Sequence, residues 1–133
     1  MRGTSGPLRF GLFLTVLAII SASAKDHPGP HIYSDVHYVE GGIDLVGTEL
    51  ELKIEGAAAT GVLRIYQGRC AEPVPVTGSA SGETLHISGE GVGYGKIEIT
   101  AKLRHGRVDG VLRLDRAHTS ESIRLKRIAK PHC

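Results

Sequence analysis

The sequence predicts an all-β fold, an antiparallel meander of about eight short strands that closes into a small up-and-down barrel. A β-sandwich is the alternative arrangement. Apolar and charged residues alternate with a period of two along most of the chain after residue 30, and helical periodicity is hard to find. Segments rich in Gly and Ser separate the alternating runs, as turns separate strands. We favour the barrel because closure removes the unpaired strand edges that invite aggregation.

The individual strands follow from the alternation. Leu50, Leu52 and Ile54, for example, are interleaved with charged residues, which gives that run one apolar side and one side that faces water. The runs that fit this pattern span 32–39, 47–55, 61–67, 73–77, 84–89, 94–104, 107–115 and 121–128. Because the strands are short and their inward residues are mostly aliphatic, we expect a mostly filled interior.

One hairpin pattern occurs twice. The segment Gly61–Ile65 returns 49 positions later as Gly110–Leu114, and the strands that precede the two segments match in the same register. Simple alternating sequences also match by coincidence. Two hairpins of one design nevertheless favour a meander built by repetition.

Residues 1–24 have the features of a secretory signal peptide. Arg2 and Arg9 precede an apolar run that extends from Phe10 to Ile20, and Ala22-Ser23-Ala24 fits the small-x-small cleavage pattern. A membrane span needs about 20 apolar residues, so this run is too short for an uncleaved anchor. We therefore expect a signal peptide at 1–24 and a single β-barrel domain at 25–133, periplasmic or secreted, with no membrane span after cleavage.

Composition and charge argue against nucleic acid as a partner. Aromatic residues make up 5% of the chain and Trp is absent, which leaves little material for stacking bases. The formal charge of +2 falls to zero when the two arginines of 1–24 are removed. Acidic residues are concentrated in 25–63 and basic residues in 104–133. We expect the first and last strands to lie side by side with complementary charges; a basic patch for an acidic partner is the alternative.

The two cysteines, Cys70 and Cys133, both follow the predicted cleavage site. An even number of cysteines in an exported chain usually forms disulfides, so we expect an intramolecular bond that ties the C-terminal tail to the middle of the chain. The alternative is a free C-terminal thiol that forms a dimer.

Three segments of the mature chain carry a resemblance. Tyr33–Val39, Asp44–Leu50 and Pro73–Val76, followed by a Gly-rich meander, resemble small exported bacterial β-meander proteins without an assigned activity. The meander is also similar in outline to calycin barrels, the lipocalin and avidin group. It departs from them because it has no Trp, and its four tyrosines assemble no aromatic pocket. The resemblance therefore implies no ligand and no site residues here.

The most specific chemical motif is the predicted mature N-terminus, Lys25-Asp26-His27. A free terminal amine, two backbone amides and the imidazole of a third-position His can surround Cu(II) or Ni(II) with four nitrogens in a plane, the geometry that these ions prefer. The alternative is an ordinary flexible terminus. A zinc site is weakly supported, because no two His stand at ligand spacing and no Cys-x-x-Cys occurs.

No catalytic residues are predicted. The glycines at 89, 91, 93 and 95 lack the spacing and the following helix of a phosphate-binding loop, so we interpret them as a bend or a close approach. Glu90, Tyr94, Lys96 and Glu98 adjoin them and form a possible polar rim. An enzyme whose residues converge only in the folded chain stays open.

The sequence therefore favours a non-enzymatic binding, inhibitor or envelope accessory protein, with Cu(II) or Ni(II) binding at Lys25-Asp26-His27 as the alternative function. The expected partner is an envelope or extracellular protein or a small ligand. Recognition residues usually lie on loops held by a rigid scaffold. The expected contact loops are 40–46, 68–72, 89–95 and 116–120.

Overall fold

The computed structural model describes residues 29–42 and 44–133, so the predicted signal peptide lies outside the described residues. The described chain contains nine strands and no helix. The strands are β1 (His31–Ser34), β2 (His37–Tyr38), β3 (Leu45–Glu55), β4 (Ala58–Gly68), β5 (Val74–Ser81), β6 (Thr84–Gly91), β7 (Gly95–Arg104), β8 (Arg107–Leu114) and β9 (Thr119–Ile128). Within this part of the chain, no helix has the length and apolar character needed to cross a membrane.

Eight of the strands form a closed antiparallel barrel, which confirms the predicted fold class. From β3 to β8, each strand pairs with the next strand along the chain. Strand β1 closes the barrel because it pairs with β9 on one side and with β3 on the other. Strand β2 is an extra short strand that pairs with β3. The topology is an up-and-down meander, as the alternation predicted.

The predicted first strand, 32–39, is divided in the structure. Backbone N–H groups near the break are satisfied by side chains, since Val36 donates to Ser34 Oγ at 3.0 Å and Thr48 donates to Asp35 Oδ1 at 2.7 Å. The break lies over Gly47, which has a φ of +130°. A Cβ at this position would lie 2.8 Å from the Cα of Val36, so a glycine allows the chain to pass this closely.

The barrel interior is filled by apolar side chains, in agreement with the expected filled core. Sixteen buried residues, none more than 6% exposed, form one continuous cluster. They are Tyr33, Leu50, Leu52, Ala59, Leu63, Val74, Val76, Leu85, Ile87, Ile97, Ile99, Ala101, Val108, Leu112, Ile123 and Leu125. Burial of apolar surface on this scale is the main favourable contribution to folding.

The two similar hairpins have the same strand register. Leu52 lies opposite Gly61 in the first hairpin, and Ala101 lies opposite Gly110 in the second. A Cβ on Gly61 would lie 2.1 Å from the carbonyl oxygen of Glu51, and a Cβ on Gly110 would lie 2.2 Å from that of Thr100. The shared Gly-Val-Leu-Arg pattern thus places a glycine where the neighbouring backbone comes closest in both hairpins.

The first and last strands lie side by side, but the expected charge complementarity between them is absent. Strand β1 has the sequence HIYS and carries no acidic residue, so it offers no partner for the cations of β9. The acidic residues of this region lie on β3 instead, where Glu51 is 3.7 Å from Arg64 of β4. The expectation was wrong because the break in the predicted strand 32–39 ends β1 at Ser34, before Asp35.

The two ends of the barrel differ in the length of their connections. The connections 56–57, 82–83 and 105–106 are tight turns of two residues, and we call their side the turn end. The connections 39–44, 69–73, 92–94 and 115–118 are longer and alternate with the tight turns along the meander, so they share the opposite side. We call that side the loop end.

Candidate functional site

The loop end brings together all four segments that the sequence predicts as contact loops. Segments 40–46, 68–72, 89–95 and 116–120 each contain residues of a loop-end connection. In an up-and-down meander, alternate connections lie at the same end, so these segments are neighbours in space although they are distant in sequence. The four predicted loops therefore lie at the same end of the barrel.

Two large apolar side chains are exposed at the loop end. Val92, in the connection 92–94, is 101% exposed, and Tyr38, beside the connection 39–44, is 61% exposed. Among the described residues, thirteen Leu, Ile and Val side chains belong to the buried interior cluster. An aliphatic side chain that is fully hydrated contributes little to folding, so Val92 is free to contact a partner.

Backbone hydrogen bonds hold two of the loops in place. Arg116 N donates to the carbonyl of Tyr94 at 3.1 Å, and Asp115 N donates to the carbonyl of Lys96 at 2.9 Å. The ring of Tyr94 packs against the interior cluster. The connections 92–94 and 115–118 are thus joined to one another and anchored to the core.

The residues of the predicted polar rim lie close together, but they do not all face the same way. Glu90 is opposite Lys96 across β6 and β7, and Lys96 Nζ is 4.0 Å from a carboxylate oxygen of Glu98. These three side chains are on the outer wall, because the odd-numbered residues that alternate with them on β7, such as Ile97 and Ile99, point inward. Tyr94 instead packs against the core at the barrel end.

Glu98 is the centre of a charged network on this wall. Its carboxylate lies 3.6 Å from Arg113 and 3.7 Å from His86, in addition to Lys96.

A surface cavity of about 270 Å³ opens beside Glu98. The cavity is lined by Lys96, Glu98, Arg113, Leu114, Asp115, His118, Thr119 and Ser120. Pockets for small molecules typically have volumes of about 300–1,000 Å³ and mostly apolar walls. This cavity is smaller and its lining is mostly polar.

A second cluster of polar residues lies on the outer wall under the C-terminal tail. Glu49 is on the outward side of β3, yet its side chain is 0% exposed. Its Oε1 lies 2.6 Å from Nδ1 of His132, and its Oε2 accepts hydrogen bonds from His132 N and from the hydroxyl of Tyr66, both at 3.3 Å. We call Glu49, Tyr66 and His132 the outer-wall cluster.

The electrostatics of this cluster follow from burial and from the carboxylate. Burial raises the pKa of the Tyr66 phenol, and the neighbouring Glu49 raises it further. The Arg64 guanidinium, whose residue is directly opposite Glu49 across β3 and β4, acts in the other direction. The ring of His132 meets the ring of Tyr66 edge-on, with centroids 6.4 Å apart.

The tail that covers the cluster is fixed by the disulfide. Cys70 and Cys133 are bonded, with Cα atoms 5.9 Å apart, which confirms the intramolecular pairing. We call residues 129–133 the strap, since they run from the end of β9 across the outer wall to Cys70. A small apolar cluster of Val36, Leu45, Tyr66 and Ala71 lies on the same outer side. The disulfide is consistent with an oxidising location.

Sequence reasoning missed the outer-wall cluster. The alternation assigned Glu49 correctly to the outward side of its strand, where a charge is ordinarily hydrated. Only the path of the strap reveals that this outward position is covered. One signal was present in the sequence: His132 is adjacent to a cysteine that the predicted disulfide carries back to the barrel.

The predicted metal motif, Lys25-Asp26-His27, lies outside the described residues and stays a prediction. Among the residues that the structure does describe, no group of three or more His, Cys, Asp or Glu side chains is placed to hold a metal ion.

Comparison of the chain with protein-family models, with curated protein sequences and with solved structures finds no match. The closed antiparallel barrel of eight strands is compatible in outline with a calycin-type barrel.

Proposed function

We propose that this chain is a non-enzymatic binding protein of the periplasm or the extracellular space, which recognises an envelope or extracellular protein with its loop end. The predicted signal peptide at 1–24 and the disulfide between Cys70 and Cys133 support export, because such bonds persist in oxidising compartments. Binding would inhibit or assist that partner.

The observation that carries the proposal is the difference between the two ends of the barrel. Three tight turns form one end, whereas the longer connections are gathered at the other. Folding alone requires only short connections between antiparallel strands. Longer loops on a rigid scaffold are the usual location of recognition residues, and the fully exposed Val92 lies on one of these loops.

Site-specific photo-crosslinking tests the proposal. A photoreactive amino acid replaces Val92 at the loop end or, as the matched control, the exposed Ala57 at the turn end. Each version is incubated with an envelope extract of the source organism and irradiated. We expect a discrete crosslinked protein from position 92 and none from position 57.

A binding measurement with the crosslinked protein completes the test. Val92→Arg should weaken its affinity at least about tenfold, whereas Ala57→Arg should leave it unchanged. Equal crosslinking from both positions, or an affinity that Val92→Arg does not alter, would refute recognition at the loop end.

A further inference from the structure

The strap lies on the barrel without forming part of its sheet. The strand pairings that close the barrel extend along β9 as far as Ile128 and no further. The strap makes polar contacts with the wall through His132 and Cys133, which reach Glu49 and Tyr66. The barrel therefore keeps all its strand pairings whether the strap is bound or free.

The bond that holds the strap is at the surface of the protein. Cys70 and Cys133 are both exposed residues, and Cys70 belongs to the connection 69–73 at the loop end. Thiol–disulfide exchange requires an attacking thiolate to reach one of the two sulfur atoms. Because both cysteines are exposed residues, we expect a thiolate to reach this bond without unfolding of the barrel.

The side chain under the strap favours release once the bond is broken. Glu49 is completely buried, and a buried carboxylate is unfavourable unless it is paired and hydrogen-bonded. Its imidazole partner, His132, is carried by the strap itself. When the covalent tether is lost, departure of the strap exchanges this contact for hydration of the carboxylate and frees the backbone of the tail.

We propose that the Cys70–Cys133 disulfide is a site of reversible reduction, and that reduction releases residues 129–133 and uncovers Glu49. The reductant is a dithiol of the thiol–disulfide oxidoreductase class. One of its thiolates attacks a sulfur of the bond, forms a mixed disulfide and expels the other cysteine, which takes up a proton. The second thiol resolves the mixed disulfide. Two electrons and two protons thus pass to Cys70 and Cys133, and the reductant leaves as a disulfide.

Carboxyl labelling of the whole purified chain, with dithiothreitol as the reductant, tests this inference. A carbodiimide and an amine nucleophile modify carboxylates that water can reach, and mass spectrometry locates them. Glu49 should be unlabelled in the oxidised chain and should gain at least about tenfold in labelling rate after reduction. Glu51, on the same strand with a side chain that is 35% exposed, is the internal control and should react equally in both states. Far-ultraviolet circular dichroism should remain that of a β-sheet.

Three results would overturn the inference. The first is a disulfide that dithiothreitol reduces only in denaturant. The second is a Glu49 that remains unlabelled in the reduced chain. The third is labelling that accompanies loss of the β-sheet signal, which would show that the barrel needs the bond to stay folded. The double variant Cys70→Ser/Cys133→Ser should reproduce the labelled, folded state without any reductant. The inference does not depend on the partner proposed for the loop end.

Discussion

Oε1 of Glu49 and Nδ1 of His132 are 2.6 Å apart, although the two residues are separated by 83 positions in the chain. The contact joins strand β3 to the strap. It also explains how a carboxylate on the outer wall is kept from water, since His132 and Tyr66 supply its hydrogen bonds. The strap, the disulfide and Glu49 therefore form one structural unit.

Replacement of His132 by alanine should destabilise the protein by about 1–3 kcal/mol, because it removes a partner of a buried carboxylate. Urea denaturation followed by circular dichroism measures the change. His86→Ala is the matched control, since its imidazole is exposed and lies 3.7 Å from Glu98. The control should change stability by less than about 0.5 kcal/mol. Equal losses in the two variants would contradict the importance of the Glu49 contact.

Loss of the disulfide should lower the free energy of unfolding by about 4 kcal/mol, the loop-entropy expectation for cysteines separated by 63 positions. Cys70→Ser, Cys133→Ser and the double variant should lose similar amounts, because each removes the same bond. Chemical denaturation of the three variants and of the natural chain provides the comparison. A double variant that loses the sum of the two single effects would show that the cysteines act separately.

Alanine at either repeated glycine should destabilise the barrel, by about 1–3 kcal/mol in each case. The new Cβ of Gly61→Ala or Gly110→Ala would approach a backbone carbonyl at close to 2 Å, so the strands must separate. Thermal unfolding monitors the loss. Gly82→Asn is the control, because this turn position has open space around it and asparagine tolerates its positive φ. If Gly61→Ala is as stable as the control, the strands can move apart freely.

The buried tyrosines should make the protein sensitive to alkali. Burial raises the pKa of Tyr33 above its ordinary value of 10.0, partly offset by Arg127, and the pKa of Tyr66 is raised as described above. The stability that these neutral phenols contribute is complete below pH 10 and declines as the pH rises through their folded-state pKa values. Absorbance at the tyrosinate band should show that these two phenols ionise only above pH 10, and Tyr66→Phe should remove one of the two ionisation steps. Complete ionisation near pH 10 in a folded chain would contradict this prediction.

The N-terminal motif remains testable by titration with copper. If cleavage follows Ala24, the chain from Lys25 onward should bind one Cu(II) and show the visible band of a complex with four nitrogen ligands. His27→Ala should abolish the band, because it removes the imidazole ligand. His37→Ala is the control and should retain it. Copper binding that His27→Ala leaves unchanged would exclude this site, and N-terminal sequencing checks the cleavage position.

The sequence by itself determined the class of fold and the pairing of the cysteines. Alternation with a period of two needs no tertiary information, because it reflects which side of each strand is removed from water. The repeated pattern likewise predicted two hairpins of one design, and in the structure Leu52 lies opposite Gly61 as Ala101 lies opposite Gly110. The two-cysteine count left no intramolecular alternative to the bond that forms.

Only the tertiary structure decided which outward residues are covered and which are exposed. Glu49 and Glu51 are equivalent in the alternating pattern, yet Glu49 is completely buried in contact with Tyr66 and with His132 of the strap, whereas Glu51 is partly hydrated. The first strand is divided where Val36 passes close to Gly47. The alternation within each strand does not predict this contact between two different segments. Burial on the outer wall depends on the path of a segment that is distant in sequence. Strand alternation depends only on neighbouring residues, so it cannot predict that path.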